Sequence, residues 1–296
     1  MKIFKILFVV CFLPLCFTAC SDDDFDPSIF DTEDPLDEDS ETYEFDLWLR
    51  NEYQKPYNLE FRYKMTDVSS DMGFNLVPAR YEKSVEMAQL IKYLWFDAYN
   101  TIAGENFLKE NGPRIIQLIG SAAYNSVSQT RVLGTAEGGI LVTLYDCNSL
   151  ERTNISQMNE YYFNTMHHEF AHILHQKKAY PVVFEDISKG NYAPLGWQNR
   201  SADAAAKLGF VSKYAGSQPR EDFVEVISNY LVKSDSEWEA ILAKAADPSV
   251  EMDGRAIILS KLEICATWLK DAWSIDIHEL HREIQKRQEN VGDLYK

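Results

Sequence analysis

Two histidines and a glutamate near the middle of the chain are spaced so that they can hold a metal ion. His168, Glu169 and His172 form an HExxH pattern within HHEFAHILHQ. If the segment is helical, residues i and i+4 lie one turn apart on one face, so both imidazoles can reach one ion. Glu169 then stands where its carboxylate can take a proton from a water that attacks a carbonyl. The pattern therefore predicts a zinc site with a general base.

The third ligand must come from another part of the chain. A catalytic zinc takes three protein ligands and keeps one position open. The longer pattern HExxHxxGxxH would supply it locally, but His175 and Lys178 occupy its last two defined positions, which excludes that class. His175 lies seven residues after His168 on a rigid helix, so we interpret it as a cleft residue or a partner of a ligand. His167 faces another side and is interpreted as structural.

The segment PREDFVEVISNYL offers two carboxylates for this role. Glu221 and Glu225 are i and i+4 on a predicted helix that Pro219 opens. Apolar residues such as Phe223 and Val224 lie between them and indicate a buried helix, where unpaired carboxylates would be costly. One carboxylate can bind the metal while the other, one turn away, orients a ligand histidine.

The segment SKYAGSQPREDFVE resembles the corresponding segment of gluzincin peptidases related to anthrax toxin lethal factor, in which a Tyr-small pair precedes an E-x-F-x-E helix. The resemblance implies that Glu221 is the third zinc ligand and that Glu225 holds a ligand histidine. It also implies that Tyr214 is the phenol that stabilises the oxyanion. Asp222 stands where the family usually has an aromatic residue, and this departure keeps Asp222 as a rival for the third ligand.

The first twenty residues have the layout of a bacterial lipoprotein signal. Two lysines precede an apolar run that is too short to span a bilayer as a helix. Ala19 precedes Cys20, so we predict a signal peptide over 1–19 and a lipid on Cys20. Phe17 stands where such signals usually have leucine, but the alternative Cys16 follows a bulky residue and fits worse. An uncleaved anchor helix is the alternative interpretation.

Residues 20–42 are expected to form an acidic, disordered tether. Ser21 to Thr42 contain eleven acids and no base, with too few apolar groups to fold. The SDDD after Cys20 resembles the signal that sends some lipoproteins to the outer face of the outer membrane, although a solvated spacer explains it equally well. The whole chain has a formal net charge of −17, which argues against nucleic acid as a partner.

The body over 43–296 is predicted to be α+β, because strand patterns come first and helical periodicity follows. The predicted strands are Asn58–Met65, Pro113–Gly120 and Gly138–Tyr145, and the predicted helices cover 80–100, Ser156–Lys177, Pro219–Lys233, Ser236–Ala246, Gly254–Ala272 and Asp276–Asn290. A long loop follows Lys178. Together with the resemblance, this order predicts a zincin-like (gluzincin) fold with a small N-terminal sheet, an active-site helix and a helical C-terminal lobe.

The whole layout, an acidic lipoprotein signal followed by HHEFAHILHQ and EDFVE, resembles zinc metallohydrolase lipoproteins that accompany TonB-dependent nutrient importers. The resemblance implies a role near substrate import, next to an importer complex, and gives no specific substrate. Together with the HExxH pattern, the lipoprotein signal and the SDDD segment, it leads us to expect a zinc peptidase that is lipid-anchored to the outer membrane, exposed on the cell surface and active on a peptide or protein. Two alternatives stay open: an accessory binding lipoprotein with a structural or vestigial zinc, and a hydrolase of amide bonds outside proteins. Glu169 favours an enzyme, because a structural zinc needs no base.

Three further features carry weaker predictions. The strand Gly139 to Tyr145 is either an edge strand, able to pair with an extended peptide, or an interior strand. His278 and His281 are i and i+3 on a predicted helix and are interpreted as a solvated face. Cys147 and Cys265 remain after cleavage and lipidation, so one disulfide is possible but not implied.

Overall fold

The computed structural model describes residues 35–65, 74–124, 131–132, 134–137 and 140–295. Residues Glu44–Lys296 form one compact unit. The predicted signal peptide, Cys20 and the tether up to residue 34 lie outside the described residues. Within the described ranges, no helix is both long enough and apolar enough to cross a membrane.

A small sheet forms much of the N-terminal part of the unit. The strands are β1 (Glu60–Arg62), β2 (Ile115–Leu118), β3 (Ala123–Tyr124), β4 (Arg131–Val132), β5 (Gly134–Glu137) and β6 (Leu141–Leu144). The larger sheet has the order β1-β2-β6-β5, with the first three strands parallel and β5 antiparallel to β6. The strands β3 and β4 form a separate antiparallel ribbon. The three predicted strands are confirmed in shorter form.

The strand β6 lies inside the sheet, between β2 and β5, so its interpretation as an edge strand is wrong. Val142, Thr143 and Leu144 are all buried, and because successive residues of a strand point to opposite faces, β6 is covered on both faces. In the described part of the sheet, β1 and β5 are the two edge strands. The sequence does not predict β5, because GTAE shows no alternation of apolar and polar residues.

Helices account for most of the remaining chain. They are α1 (Tyr43–Leu49), α2 (Lys55–Tyr57), α3 (Tyr81–Ile91), α4 (Asp97–Ala103), α5 (Glu105–Asn111), α6 (Ile155–Met158), α7 (Asn164–Lys177), α8 (Val183–Ile187), α9 (Ala202–Lys207), α10 (Pro219–Val232), α11 (Asp235–Ala245), α12 (Gly254–Trp273) and α13 (Ile277–Glu289). Wider π-type turns make α3 continuous with α4 and α6 continuous with α7. The predicted helices are confirmed to within a few residues, and the mixture is compatible with the predicted α+β class.

Side-chain caps fix the starts of the C-terminal helices. Ser234, Asp253 and Asp276 each accept a hydrogen bond from a backbone N–H in the first turn of α11, α12 and α13. Ser234 and Glu237 also form a reciprocal capping box. Each such cap stabilises a helix by about 1 kcal/mol. The predicted starts of these helices lie within one residue of the observed ones, and these caps are the local feature that fixes them.

Aromatic packing holds α7 in place. Phe170 contacts Trp95 and Tyr99 edge-on, with ring centroids 5.2 Å apart in both pairs. The opposite side of α7 packs along α10, and β5 also touches α7. Removing a buried ring such as that of Phe170 costs about 3–5 kcal/mol. The helix with the HExxH pattern is therefore fixed between the α3–α4 run and the C-terminal helices.

Candidate metal centre

His168 and His172 lie on one face of α7, as their spacing predicts. Their Nε2 atoms are 3.2 Å apart. His168 is 8% exposed and His172 is partly buried. Because α7 is packed on two sides, the two imidazoles are presented at a fixed separation to whatever lies between them.

The helix α10 brings a third donor to the same point. Pro219 stands in its first turn, where the missing N–H is not needed, and the helix packs along α7. The Oε2 atom of Glu221 is 3.2 Å from Nε2 of His168 and 3.1 Å from Nε2 of His172. The structure therefore brings together the three residues predicted as ligands. Among the described residues, they form a cluster whose ligand atoms lie within 4.8 Å of one another.

The separations within this cluster fit a zinc ion. Ligand atoms at about 2.0–2.1 Å from a tetrahedral zinc are about 3.3 Å apart. The three observed separations are 3.1, 3.2 and 3.2 Å. Two imidazole nitrogens and one carboxylate oxygen are also a donor set that catalytic zinc sites use, with a fourth position left open.

Glu225 holds one of the two imidazoles. Its Oε1 atom lies 2.8 Å from Nδ1 of His168. Ser212 donates to Oε2 of Glu225 at 2.5 Å, and Asn229 donates to the same oxygen at 3.3 Å. Burial alone would raise the pKa of Glu225, but these hydrogen bonds, led by that from His168, lower it. A charged carboxylate at Nδ1 keeps the proton there and leaves the Nε2 lone pair of His168 available to a metal.

His175 holds the other imidazole. Its Nε2 atom lies 2.8 Å from Nδ1 of His172, and its ring also contacts Tyr180. It is thus a partner of a predicted ligand, one of the two roles that the sequence indicates for it. Burial lowers the pKa of His175 to about 4, and the charge of His172 acts in the same direction. His172 is therefore oriented by a neutral ring, whereas His168 is oriented by a carboxylate.

The electrostatics of the cluster favour positive charge between the donors. Burial alone would lower the pKa of His168, but hydrogen bonds to Glu221 and Glu225 raise it to about 10. Burial alone would raise the pKa of Glu221, but the two histidines hold it well below its usual value. Both shifts arise because the carboxylates stabilise positive charge on the nitrogens that face them. A divalent cation at the same point would replace those protons.

The cluster opens into a cavity of about 450 Å³. Glu169 lines this cavity beside the three predicted ligands. Burial raises the pKa of Glu169, although the charges of His168 and His172 act against it. The remaining lining residues are Gly134, Ile173, His175, Gln176, Tyr214 and Arg220. The predicted base and the predicted ligands thus share one space that is open to a substrate.

Comparisons with known proteins show the family to which the chain belongs. A family model described as "Putative zinc-binding metallo-peptidase" matches residues 38–278. The chain belongs to this family. A crystal structure of "a putative zinc-binding metallo-peptidase" from Bacteroides caccae is similar, with 44% sequence identity, a TM-score of 0.76 and coverage of 88% of this chain and 96% of that chain. A comparison with curated proteins gives no match.

The printed descriptions of the family and of the B. caccae protein both name zinc. They agree with the prediction of Zn²⁺ as the cofactor, and a His/His/Glu cluster of matching chemistry is present. They name no substrate, partner or location. The roles of individual residues in this family member therefore depend on the geometry and on experiment.

Tyr214 lies at the cavity wall, 38% exposed. Its ring centroid is 5.9 Å from that of His168 and 5.1 Å from that of Trp197. Burial and the charge of Glu221 raise the pKa of Tyr214, so the phenol keeps its proton at neutral pH. A hydrogen bond to the Glu221 carboxylate acts in the same direction, so the structure brings Tyr214 to one of the predicted ligands.

Asp222 does not join the cluster. Its Oδ2 atom is 2.6 Å from Nζ of Lys261 and accepts a hydrogen bond from the Tyr192 hydroxyl at 2.9 Å. Both charged side chains are fully buried. Burial raises the pKa of Asp222 in spite of the adjacent ammonium group. Asp222 cannot be the third ligand, because one residue of rotation along α10 directs it away from α7 and towards α12.

The remaining histidines have structural contacts. His167 is buried and its Nδ1 atom lies 3.1 Å from the Tyr99 hydroxyl, which agrees with the structural interpretation. The interpretation of His278 and His281 as a solvated face is wrong for His281, which is 4% exposed and donates from Nε2 to the Lys233 carbonyl at 3.0 Å. His281 is buried because α13 packs against α10.

The two remaining cysteines do not form a disulfide. Cys147 and Cys265 are both free and buried. Cys147 follows β6, whereas Cys265 lies on α12 with its Sγ atom near the Phe223 carbonyl. Burial raises the pKa of Cys147 to about 12, so this thiol is not reactive.

Several residues of the site are not predicted from the sequence. Asn229 lies four residues after Glu225, and that spacing was a usable signal for a contact on one helix face. Ser212, Arg220 and Gly134 reach the site or the residues behind it through tertiary packing, for which the sequence gives no local pattern.

Proposed function

We propose that this family member is a zinc-dependent peptidase of the gluzincin type, with a zincin-like fold related to the catalytic domain of anthrax lethal factor. The observation that carries the proposal is the convergence of His168, His172 and Glu221 on one point of a cavity that Glu169 also lines. Membership of a family described as zinc-binding metallo-peptidases supports the same class.

Three residues would hold the zinc in this proposal, namely His168, His172 and Glu221. When bound there, zinc would supply a Lewis acid for the scissile carbonyl and lower the pKa of a water at its open position. Glu225 keeps the His168 ring in the tautomer that a ligand needs, and His175 orients the His172 ring.

The remaining chemistry falls to two side chains. Glu169 accepts a proton from the attacking water and then delivers it to the leaving amine. Its place on the cavity wall, beside the proposed ligands, puts its carboxylate within the same space as the attacking water. The Tyr214 hydroxyl donates a hydrogen bond to the carbonyl oxygen as that oxygen gains negative charge.

The substrate is proposed to lie along β5 as an extended chain. In the described part of the sheet, β5 pairs only with β6 and so has a free edge. Gly134, at the start of β5, lines the cavity. A Cβ atom at Gly134 would lie 2.4 Å from Cγ2 of Thr165 and 3.0 Å from the Thr143 carbonyl oxygen, so a side chain there would force Thr165 on α7 to move.

The cellular setting is proposed from the sequence layout. Residues 1–19 would be removed as a signal peptide, Cys20 would carry lipid, and 20–42 would tether the 43–296 body to the outer membrane at the cell surface, near a TonB-dependent importer. A Cys20→Ser variant is expected to lose labelled palmitate and to leave the membrane fraction. Retention of both label and membrane association would contradict the anchor.

A Glu169→Gln variant tests the reaction. It is expected to bind one zinc per chain but to cleave a defined peptide pool about 10²–10⁴-fold more slowly than wild type. Tyr214→Phe is expected to lose about 10²–10³-fold. Glu279→Gln, which changes an exposed glutamate on α13, is the matched control and should cleave like wild type.

Equal cleavage by the wild type and Glu169→Gln would refute the mechanism. A zinc-loaded wild type that cleaves no peptide would favour one of the two alternatives. Hydrolysis of a non-protein amide by this wild type would identify a hydrolase of another amide. Binding of glycan or peptide without hydrolysis would identify an accessory lipoprotein.

A further inference from the structure

Arg220 is the residue before the predicted ligand Glu221 and lines the same cavity. Among the described residues that line it, Arg220 is the one Arg or Lys, and its acidic neighbours there are Glu169 and Glu221. The whole chain carries a formal net charge of −17. A strong fixed cation at this position is therefore a local exception to an acidic protein.

The guanidinium of Arg220 is only partly used by the protein. Its Nε atom lies 3.3 Å from Oε1 of Glu221, while Oε2 of Glu221 faces the two histidines. The side chain of Arg220 is 62% exposed. Within the described chain, its two terminal nitrogens have no acceptor. That free edge matches a carboxylate, which it can bind through two parallel hydrogen bonds.

Helix stability does not explain a cation at this position. Arg220 is in the first turn of α10, where the helix dipole favours acidic side chains and disfavours a positive charge. Its ion pair with Glu221 is largely exposed on the arginine side, and such pairs add little to folding. Its free edge therefore points to a ligand outside the chain.

We propose that Arg220 forms a subsite that binds a carboxylate of the substrate next to the scissile bond. The substrates would be peptides that carry an α-carboxylate or an Asp or Glu side chain close to the bond that is cut. This inference rests on the proposed peptidase function for the reaction, but the subsite itself is a binding property and can be measured without turnover.

The test measures peptide binding to the zinc-loaded Glu169→Gln variant, which lacks the proposed base and is expected to leave the peptide uncut. N-acetylated peptides of one neutral sequence are compared in three forms: a C-terminal amide, a free C-terminal carboxylate, and an amide with one internal Asp. The ratio of Kd values between amide and carboxylate forms is determined by calorimetry, with and without Arg220→Gln. Arg220→Lys and Arg282→Gln, an exposed arginine on α13, are the comparison variants.

At least one carboxylate form is expected to bind about 10-fold more tightly than the neutral amide, and Arg220→Gln is expected to bring this ratio close to one. Arg220→Lys should keep part of the preference, because lysine keeps the positive charge but lacks the paired N–H donors of a guanidinium. Arg282→Gln should keep all of it. The peptide form that binds more tightly shows whether the subsite binds the C-terminal carboxylate or an acidic side chain.

Two results would overturn the subsite: no preference for either carboxylate form, or a preference that survives in Arg220→Gln. Zinc content is measured in every variant, so that a disturbed Glu221 is distinguished from a lost subsite. If the wild type cleaves no peptide, the proposed function fails, while the binding ratios still decide the role of Arg220.

Discussion

Glu221 and Asp222 are neighbours on α10 and both are buried, but they meet opposite partners. Glu221 faces two imidazole nitrogens and an open cavity. Asp222 faces the ammonium of Lys261, which also donates to the Gly209 carbonyl at 2.7 Å, in a fully enclosed contact. One residue of helix rotation thus separates two kinds of carboxylate. Glu221 belongs to a donor set that can accept an external cation, whereas the charge of Asp222 is already balanced inside the chain.

This difference explains why one carboxylate is a metal ligand candidate and the other is a structural contact. A buried carboxylate needs compensating charge, and the chain supplies it to Asp222 from α12. Near Glu221 the compensating groups are the exposed Arg220 at Oε1 and two histidines at Oε2, and the histidines can exchange a proton for a metal. Burial alone does not distinguish these cases, whereas the identity and the accessibility of the partner do.

The enclosed pair should give the largest effect on stability. Lys261→Met leaves Asp222 buried without its partner, and we expect the free energy of unfolding to fall by about 3–5 kcal/mol. Urea denaturation of the metal-free chain measures this change. Replacing both residues, in Asp222→Leu with Lys261→Met, should recover most of the loss, because apolar side chains can replace a buried ion pair.

A Lys261→Met variant as stable as the wild type would show that the pair is not a buried contact in solution. A double variant that is no more stable than the single variant would show that the loss comes from the missing lysine stem rather than from an unpaired charge. Either result would remove the contrast between the two carboxylates.

The Glu221→Gln variant tests the carboxylate that faces the open cavity. The amide is a poorer zinc ligand than the carboxylate, so zinc affinity should fall by more than the 10–100-fold typical of a residue that only orients a ligand. Asp222→Asn is the matched control: it should lower stability but keep one zinc per chain. Competition with a fluorescent chelator measures both affinities. Equal losses of zinc in the two variants would contradict the separation of roles.

The two residues that support the proposed ligand histidines give the smallest effects. Glu225→Gln removes a charge-assisted hydrogen bond to His168 and should weaken zinc binding by about 10–100-fold. His175→Gln removes a neutral partner of His172 and should weaken it less, by about 10-fold or under. The same chelator assay orders the two. A larger loss in His175→Gln would show that His172, rather than His168, depends on its support.

Much of the fold could be predicted because local sequence patterns determine where most of the helices begin and end. The caps at Asp253 and Asp276, together with helical periodicity, locate α12 and α13. The strand β5 could not be predicted, because its residues show no strand pattern and its position depends on pairing with β6. The burial of His281 depends on helix packing in the same way, and the pattern of α13 alone does not reveal it.

The residues of the site also divide into those that local sequence patterns predict and those that depend on tertiary packing. The i, i+4 spacing predicts that His168 and His172 share a face, and the apolar residues around Glu221 indicate its burial. Glu221 meets the histidines because α10 packs on α7, which is a long-range contact. The family resemblance predicted this contact, whereas no local sequence pattern did. The free edge of Arg220 is a tertiary feature and has no counterpart in the sequence.

Locating the metal directly is the most decisive measurement. A crystal of the zinc-loaded chain, with anomalous data collected at the zinc absorption edge, should contain one strong peak about 2.0–2.2 Å from Nε2 of His168, Nε2 of His172 and a carboxylate oxygen of Glu221. Elemental analysis should give one zinc per chain. A peak at another place, or material that binds no stoichiometric zinc, would contradict the account.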